Sequence, residues 1–176
     1  MSALQVTWFV LIGVLLAGYA VLDGFDLGVG FWHIFTRKEE HRRALLNAIG
    51  PVWDGNEVWL LTGTGALFAA FPHVYATVFS GMYPALMAVV FALIFRAVSI
   101  EFRGRGESAR WRNWWDWLFR TGSTLTALLL GVALGNVLRG LPLDEQMRFA
   151  GSSLSLFNPY ALLFGLICLA MAASHG

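Results

Sequence analysis

Residues 22–30 read Leu-Asp-Gly-Phe-Asp-Leu-Gly-Val-Gly, and this stretch decides the fold because it places two carboxylates in an apolar segment long enough to enter a bilayer. On a continuous helix Asp23 and Asp26 are three residues apart and share one face. Gly24 and Gly28 are four residues apart and form a smooth strip beside them. Such a strip lets a second helix approach closely.

The composition is that of an integral membrane protein. Of the 176 residues, 57% are hydrophobic and 13% are charged, and the mean hydropathy is +0.63. Soluble domains contain about 25% charged residues, and here the apolar residues form long blocks instead of alternating stripes. The net charge of +1 argues against a nucleic-acid surface. The single cysteine, Cys168, cannot form an internal disulfide.

The apolar blocks predict an all-α, polytopic membrane protein of about five transmembrane helices: a four-helix bundle and the start of a further helix, with the N-terminus outside. Segments 36–43 and 104–120 hold most of the basic residues, so the positive-inside rule makes both cytoplasmic. Five spans put both segments on one side of the membrane. The chain is predicted to be a single membrane domain with spans over about residues 4–35, 51–71, 80–103, 118–138 and 158–176.

The connections between the predicted spans have features of their own. The chain is expected to turn outside within residues 70–83, and residues 139–157 are expected to form a second outside loop. Four tryptophans in the second basic segment are typical of an aromatic belt on an interfacial segment; they are Trp111, Trp114, Trp115 and Trp117. The last apolar block reaches residue 176 without flanking residues, which is typical of a truncated chain.

Polar residues from three spans are predicted to lie at similar depth near the cytoplasmic face. They are Asp23 and Asp26 in the first span, Asp54 and Glu57 at the start of the second, and Arg96 towards the end of the third. A buried, unpaired carboxylate costs several kcal/mol, so such residues pair, face water or face a partner. The cluster therefore predicts cation binding or proton relay, with Arg96 as a structural counter-charge.

Simpler explanations of the same residues stay open. Asp54 and Glu57 also suit acids in a first helical turn, where they complement the helix dipole. Asp23 and Asp26 also suit a pair locked to Arg96 for packing. Glu101, further along the third span, is expected to be a solvated helix end.

The histidines do not have the spacing of a metal site; they are His33, His41, His73 and His175. A bis-histidine haem between spans needs two histidines at similar depth, which His33 and His175 would provide, but histidines at the membrane interface explain both more simply. The sequence has no phosphate-binding glycine loop, nucleophile elbow or cysteine-pair motif. No catalytic residue and no metal ligand is predicted.

Three motifs in order establish a family resemblance: residues 23–30, residues 50–59 with the sequence Gly-Pro-Val-Trp-Asp-Gly-Asn-Glu-Val-Trp, and residues 65–72 with the sequence Gly-Ala-Leu-Phe-Ala-Ala-Phe-Pro. The chain closely resembles subunit II of the cytochrome bd quinol oxidases. The match continues through Phe95-Arg96, residues 111–117, Gly135-Asn136 and residues 156–159. Because it covers nearly the whole chain with several motifs in order, it is highly specific.

The resemblance implies a subunit that ligates no haem itself. Its expected partners are subunit I, which holds haems of b and d type and the quinol-oxidising loop, a small single-span accessory subunit, membrane lipid and quinone, with no nucleic acid. Subunit II is expected to line a hydrophilic path that delivers cytoplasmic protons towards the oxygen-reducing site. The path positions match Asp54 and either Asp23 or Asp26, and Trp53 matches a position near the haems. A structural quinone is implied without assigned contacts.

The implied location is the cytoplasmic (inner) membrane of a bacterium or archaeon, as part of an electrogenic aerobic respiratory enzyme. Chains of the family are longer, and this sequence matches their N-terminal half. Two other functions stay open: a secondary transporter or cation-binding membrane protein that uses the same carboxylates, and a purely structural assembly subunit. Transporters usually show repeats with broken helices at the midplane, whereas these carboxylates lie towards one face.

Overall fold

The computed structural model describes residues 2–176, and most of them are helical. The helices in chain order are α1 (Ala3–Trp32), α2 (Glu39–Ile49), α3 (Trp53–Ala70), α4 (Pro72–Gly81), α5 (Tyr83–Phe102), α6 (Ala109–Arg139) and α7 (Pro159–His175), with short 3₁₀ turns at Arg103–Arg105 and Ser153–Phe157. Within the described residues the only β feature is an isolated bridge between Leu143 and Phe149. The predicted all-α class is confirmed.

The lengths of the helices fit a polytopic membrane protein. Three of them are long and apolar enough to cross a bilayer: α1, α5 together with the turn that follows it, and α6. Helices α3 and α7 have 18 and 17 residues. At a rise of about 1.5 Å per residue these span about 27 and 26 Å, close to the hydrocarbon thickness of about 30 Å. The count of five spans and the outside N-terminus stay predictions.

Helix α1 begins with a reciprocal cap. The Ser2 hydroxyl accepts a hydrogen bond from the Gln5 backbone N–H at 3.3 Å, and the Gln5 side chain accepts one from the Ser2 N–H at 2.8 Å, so two of the free donors of the first turn are satisfied. The first half of α1 exposes apolar side chains such as Leu4 and Phe9. The second half buries Asp23 and the glycines that follow it.

The start of α6 differs from the predicted fourth span. The helix begins at Ala109 instead of near residue 118, because the Ser108 hydroxyl accepts a hydrogen bond from the Trp111 backbone N–H at 3.1 Å and caps the helix there. The four tryptophans therefore lie on the first turns of α6, and their place at the membrane interface stays a prediction. Trp114 and Trp117 are exposed and their rings stack at 5.4 Å.

The segment predicted to turn between the second and third spans contains a helix of its own. Helix α4 begins at Pro72, whose missing N–H suits a first helical turn. It packs against α3 through the rings of Phe68 and Tyr75, whose centroids are 5.1 Å apart. The loop after α6 folds back onto α4, where the Thr77 hydroxyl donates a hydrogen bond to the Met147 carbonyl at 2.9 Å.

Glycines set the closest helix contacts. A Cβ at Gly131 of α6 would lie 2.7 Å from the Cα of Gly165 in α7, and one at Gly122 would lie 2.6 Å from the Ala92 carbonyl of α5. Of the predicted strip on α1, Gly28 touches the Ala172 carbonyl of α7, whereas a Cβ at Gly24 would meet no atom within 4 Å. Individual glycines therefore allow the helices to approach closely, as in other membrane bundles.

Gly131→Ala is expected to lower the stability of the bundle by about 1–3 kcal/mol, because the added methyl group overlaps the α7 backbone and forces the helices apart. The apparent melting midpoint in detergent measures the loss. Gly13→Ala on α1 is the matched control, since its Cβ would meet no atom within 4 Å, and its midpoint should not fall. A Gly131→Ala midpoint equal to that of Gly13→Ala would contradict the packing described here.

Candidate functional site

A buried ion cluster lies where α1, α3 and α5 meet. Asp23 and Asp26 of α1 and Arg96 of α5 are each 0% exposed. The guanidinium of Arg96 donates two hydrogen bonds to the carboxylate of Asp23, at 2.7 and 3.1 Å. Asp26 lies on the same face of α1, and its Oδ2 is 3.5 Å from Arg96 Nη2. A buried charge needs such partners, because no solvent is present to stabilise it.

Helix α3 completes this cluster with two side chains from its first turns. Glu57 accepts a hydrogen bond from Arg96 Nη1 at 2.7 Å. Asn56 donates from its side-chain nitrogen to Asp26 Oδ2 at 2.9 Å and to the Leu22 carbonyl at 3.3 Å. Asn56 therefore fixes the Asp26 carboxylate against the α1 backbone. We call Asp23, Asp26, Asn56, Glu57 and Arg96 the Arg96 cluster.

The Arg96 cluster contains more acidic groups than basic ones. Three carboxyl groups surround a single guanidinium, so full ionisation would leave two negative charges without a partner. Several buried polar atoms at the cluster have no hydrogen-bond partner among the described residues; they are Asp26 Oδ1, Arg96 Nε and the hydroxyl of the neighbouring Tyr19. A site of this kind has the capacity to hold protons, a cation or ordered water.

The other predicted site residues lie outside the Arg96 cluster. Asp54 is exposed in the first turn of α3 and forms no ion pair within residues 2–176. Glu101 is exposed at the end of α5. Trp53 is buried at the beginning of α3, with 9% of its surface exposed. The structure thus brings together Asp23, Asp26, Glu57 and Arg96 but leaves Asp54 on the surface.

A second polar cluster, missed by the sequence analysis, surrounds Asp116 near the C-terminal end of α1. The Asp116 carboxylate accepts hydrogen bonds from Nε of Arg103 and, at 3.1 Å, from Nη1 of Arg42. His33 Nε2 is 3.2 Å from Asp116 Oδ1. Arg103 also donates to Glu39 at 2.8 Å. We call these five residues the Asp116 cluster; it ties α2 and the end of α5 to α6.

His33 lies at the C-terminal cap of α1 and is buried within the protein, while its depth in the membrane stays a prediction. Its side chain is 0% exposed, because Asp116 contacts one ring nitrogen and the Phe119 ring packs edge-on at 5.4 Å. His175, at the end of α7, packs against α1 further from the C-terminal cap of that helix, with its Nε2 3.0 Å from the Val21 carbonyl. The two rings therefore do not face each other. Within residues 2–176 no group of three His, Cys, Asp or Glu residues is placed to hold a metal ion.

One sequence signal points to the Asp116 cluster. His33 follows Asp26 by seven residues, and Arg103 follows Arg96 by the same distance. Two residues seven apart lie on the same face of a helix, two turns from each other. Because Asp23 of α1 pairs with Arg96 of α5, His33 and Arg103 lie about two turns further along these helices, where both contact Asp116.

Comparison with known proteins decides the family. A sequence model described as "Cytochrome bd terminal oxidase subunit II" matches residues 4–176. The chain belongs to the cytochrome bd terminal oxidase subunit II family. The resemblance found from the sequence motifs is thereby confirmed.

Relatives from several bacteria agree with the family. The chain is 47% identical over 180 residues to cytochrome bd-I ubiquinol oxidase subunit 2 of Escherichia coli (strain K12), covering 99% of this chain and 48% of that protein. It is 43% identical over 177 residues to cytochrome bd ubiquinol oxidase subunit 2 of Bacillus subtilis (strain 168), covering 100% of this chain and 52% of that protein. The chain spans about half the length of the curated relatives it matches.

Arg96→Gln is expected to destabilise this subunit II chain by about 3–5 kcal/mol, because it leaves three carboxyl groups crowded in a buried site without their counter-charge. The apparent melting midpoint in detergent should fall by about 10 °C. Arg43→Gln is the matched control, since Arg43 is exposed and forms no ion pair in the described chain. Equal midpoints for the two variants would refute the central role of Arg96.

Proposed function

We propose that this chain acts as subunit II of a cytochrome bd quinol:oxygen oxidoreductase, in the cytoplasmic (inner) membrane of a bacterium. Its family membership and the names of its relatives support this role. The chain supports a haem-bearing subunit I and holds no redox centre itself; haem b and haem d belong to that partner. Trp53 is proposed to lie at the interface near those haems. A structural quinone and a small accessory subunit are part of the same proposal.

We further propose that the Arg96 cluster belongs to a path that carries cytoplasmic protons towards the site of oxygen reduction. The observation that supports this most is the excess of buried carboxyl groups over guanidinium groups. A carboxyl group in such a place can accept a proton and pass it on without leaving a permanently unmatched charge. The positive charge of Arg96 keeps at least one of these carboxyl groups ionised.

Asp54 and Glu57 are suited to connect this cluster with the cytoplasm. Asp54 is exposed and lies one helical turn before Glu57 on α3. The Glu57 side chain is 20% exposed and contacts Arg96 directly. A proton taken up at Asp54 would pass to Glu57 and then to Asp26 and Asp23.

This path makes oxygen reduction electrogenic without a pump. Reduction of oxygen to water consumes protons, and these are drawn from the cytoplasm. Quinol oxidation releases its protons on the outer side. Every turnover therefore removes positive charge from the cytoplasmic side of the membrane.

The subunit role is tested by purifying the tagged protein from its native membrane in mild detergent and recording a reduced-minus-oxidised absorption spectrum. Bands of both b-type and d-type haem are expected, because subunit I should copurify. A haem-free eluate whose stability depends on added cations would instead favour a cation-binding or transport function for the same carboxylates.

Asp54→Asn is expected to lower oxidase turnover several-fold in the assembled complex, because the variant cannot take up a proton at the cytoplasmic surface. Oxygen consumption with quinol as donor measures the rate, and haem content reports assembly. Glu101→Gln is the matched control, since Glu101 is also exposed near the same end of the bundle but lies outside the cluster. Normal turnover and normal charge uptake in a fully assembled Asp54→Asn complex would remove Asp54 from the path.

A further inference from the structure

One face of α1 bears four polar residues, with Gly30 between the last two, from the middle of the helix to its C-terminal cap. Its residues follow each other at spacings of four, three, four and three; they are Tyr19, Asp23, Asp26, Gly30 and His33. This spacing forms a single stripe on a helix, and all five residues are buried. Membrane helices normally pack through apolar or small residues, so a buried polar stripe of this length indicates a function.

Helices α5 and α6 bear buried polar residues of their own at helical spacings, each at most 6% exposed, and three of them, Arg96, Asp116 and Ser123, contact the stripe on α1. The buried polar residues of these two helices are Arg96, Ser99 and Arg103 from α5 and the turn after it, and Asp116, Ser123 and Thr126 from α6. Together with the stripe on α1 they form what we call the polar seam. The seam runs from the Asp116 cluster, past the Arg96 cluster, to Tyr19.

We propose that the polar seam is a continuous proton path and that its cytoplasmic mouth is the pair of His33 and Asp116, with His33 as the group that takes up the proton. This inference rests on the proposed proton-delivery function and assigns a second mouth to it, besides Asp54. A proton taken up at His33 would travel to Asp26 through the interior of the bundle, whereas one taken up at Asp54 would travel to Asp26 from the surface of α3.

The geometry at the mouth suits proton uptake by an imidazole. Nε2 of His33 contacts Asp116, but neither ring nitrogen has an aligned hydrogen bond to another described residue. The ring can therefore accept a proton on one nitrogen and release one from the other, so that it is neutral before and after the transfer. Arg103 connects Asp116 to Glu39, whose side chain is 43% exposed and marks the solvent side.

The charges along the seam favour movement of protons inwards. In the Asp116 cluster, the carboxylates of Asp116 and Glu39 bind the guanidinium groups of Arg42 and Arg103, and a third guanidinium, that of Arg112, lies 3.6 Å from Glu39. The Arg96 cluster has two carboxyl groups more than guanidinium groups. A proton on His33 is therefore an extra positive charge at the mouth and meets unmatched negative charge deeper in the seam.

His33 and Asp26 are about 10 Å apart along the helix axis, and we assign two hydroxyl groups, those of Ser99 and Ser123, to the gap between them. The Ser99 and Ser123 hydroxyls are buried and donate to the carbonyls of Phe95 and Phe119. Their oxygen lone pairs stay free to accept hydrogen bonds from bridging water. Ser123 can reach α1 because a Cβ at Gly30 would overlap its side chain.

Charged and titratable groups face His33 from each neighbouring element that bears them. Asp116, which contacts His33 directly, and Arg112 lie on α6, Arg103 follows α5, and Glu39 and Arg42 lie on α2. On α1 itself, the next titratable group in the stripe is Asp26. These are the groups whose protonation has to be considered together with that of His33.

The test is His33→Asn in the assembled oxidase, in inside-out membrane vesicles with the cytoplasmic face accessible. Turnover is expected to fall about tenfold, equivalent to about 1.4 kcal/mol in the rate-limiting barrier. The solvent hydrogen-isotope effect on turnover should rise, and imidazole in the medium should restore part of the rate. His41→Asn is the matched control, because His41 is exposed and contacts only Glu40; its turnover should equal that of the parent protein.

The outcomes that overturn the inference are distinct. Parental turnover in a His33→Asn complex with normal haem content overturns it, and so does a loss with an unchanged isotope effect and no rescue by imidazole, because that loss is structural. Asp26→Asn is measured in parallel. If it slows turnover while His33→Asn does not, only the mouth is wrong; if neither has an effect, the proposed proton path fails as well.

A second variant covers the case in which His33→Asn does not assemble. Ser123→Ala removes one hydroxyl from the middle of the seam and adds no volume next to Gly30. It is expected to slow turnover and raise the solvent isotope effect. An assembled Ser123→Ala complex with parental values of both would overturn the continuous seam.

Discussion

The position of Arg96 is the constraint on which the rest of the structure depends. Its guanidinium is fully buried and binds Asp23 through two hydrogen bonds and Glu57 through a third. Such a charge is tolerated in the bundle only while these partners stay in place. A slip of α1 or α3 by one residue would turn those carboxylates away from Arg96 and expose it to apolar surroundings. The ion cluster therefore sets the register of three helices that apolar packing alone would leave free to slide.

Small residues let the helices approach closely enough for these charged side chains to reach each other. The backbone of α5 lies against Gly122 of α6, next to the base of the Arg96 side chain, and Ser123 lies against Gly30 of α1. Larger residues there would separate the helices and open space around the buried charges. Glycine contacts and ion pairs thus act together: the glycines bring the helices together, and the ion pairs determine which turns face each other.

Much of the fold and part of the site could be predicted from sequence, and the exceptions have physical reasons. The long apolar blocks and the basic loops predict the helices. The predicted depth in the membrane is enough to place Asp23 and Asp26 near Arg96. Depth does not give direction around the helix axis, however, so Asp54 was grouped with Glu57 although it faces outwards in the structure. Asn56 lies at the same depth as Glu57, but an uncharged amide beside a charged residue did not mark it as part of the site. The Asp116 cluster was missed because Glu39, Arg42 and Asp116 come from segments that look like ordinary charged loops, while His33 and Arg103 lie at the ends of two predicted spans.

The two clusters differ in charge balance, and this difference distinguishes their roles. Every carboxylate of the Asp116 cluster has a guanidinium partner, and Arg112 lies beside Glu39 as a third guanidinium, so these ion pairs hold the loop helix α2 against α6 without a proton on either carboxylate. The Arg96 cluster is neutral only when it holds protons or another cation, so its state depends on what reaches it. His33 is the member of the Asp116 cluster that shares the stripe on α1 with Asp26 of the Arg96 cluster. A neutral imidazole there adds no charge to either cluster, while a charged one is stabilised by Asp116, 3.2 Å away, and by the unmatched carboxyl groups deeper in the bundle.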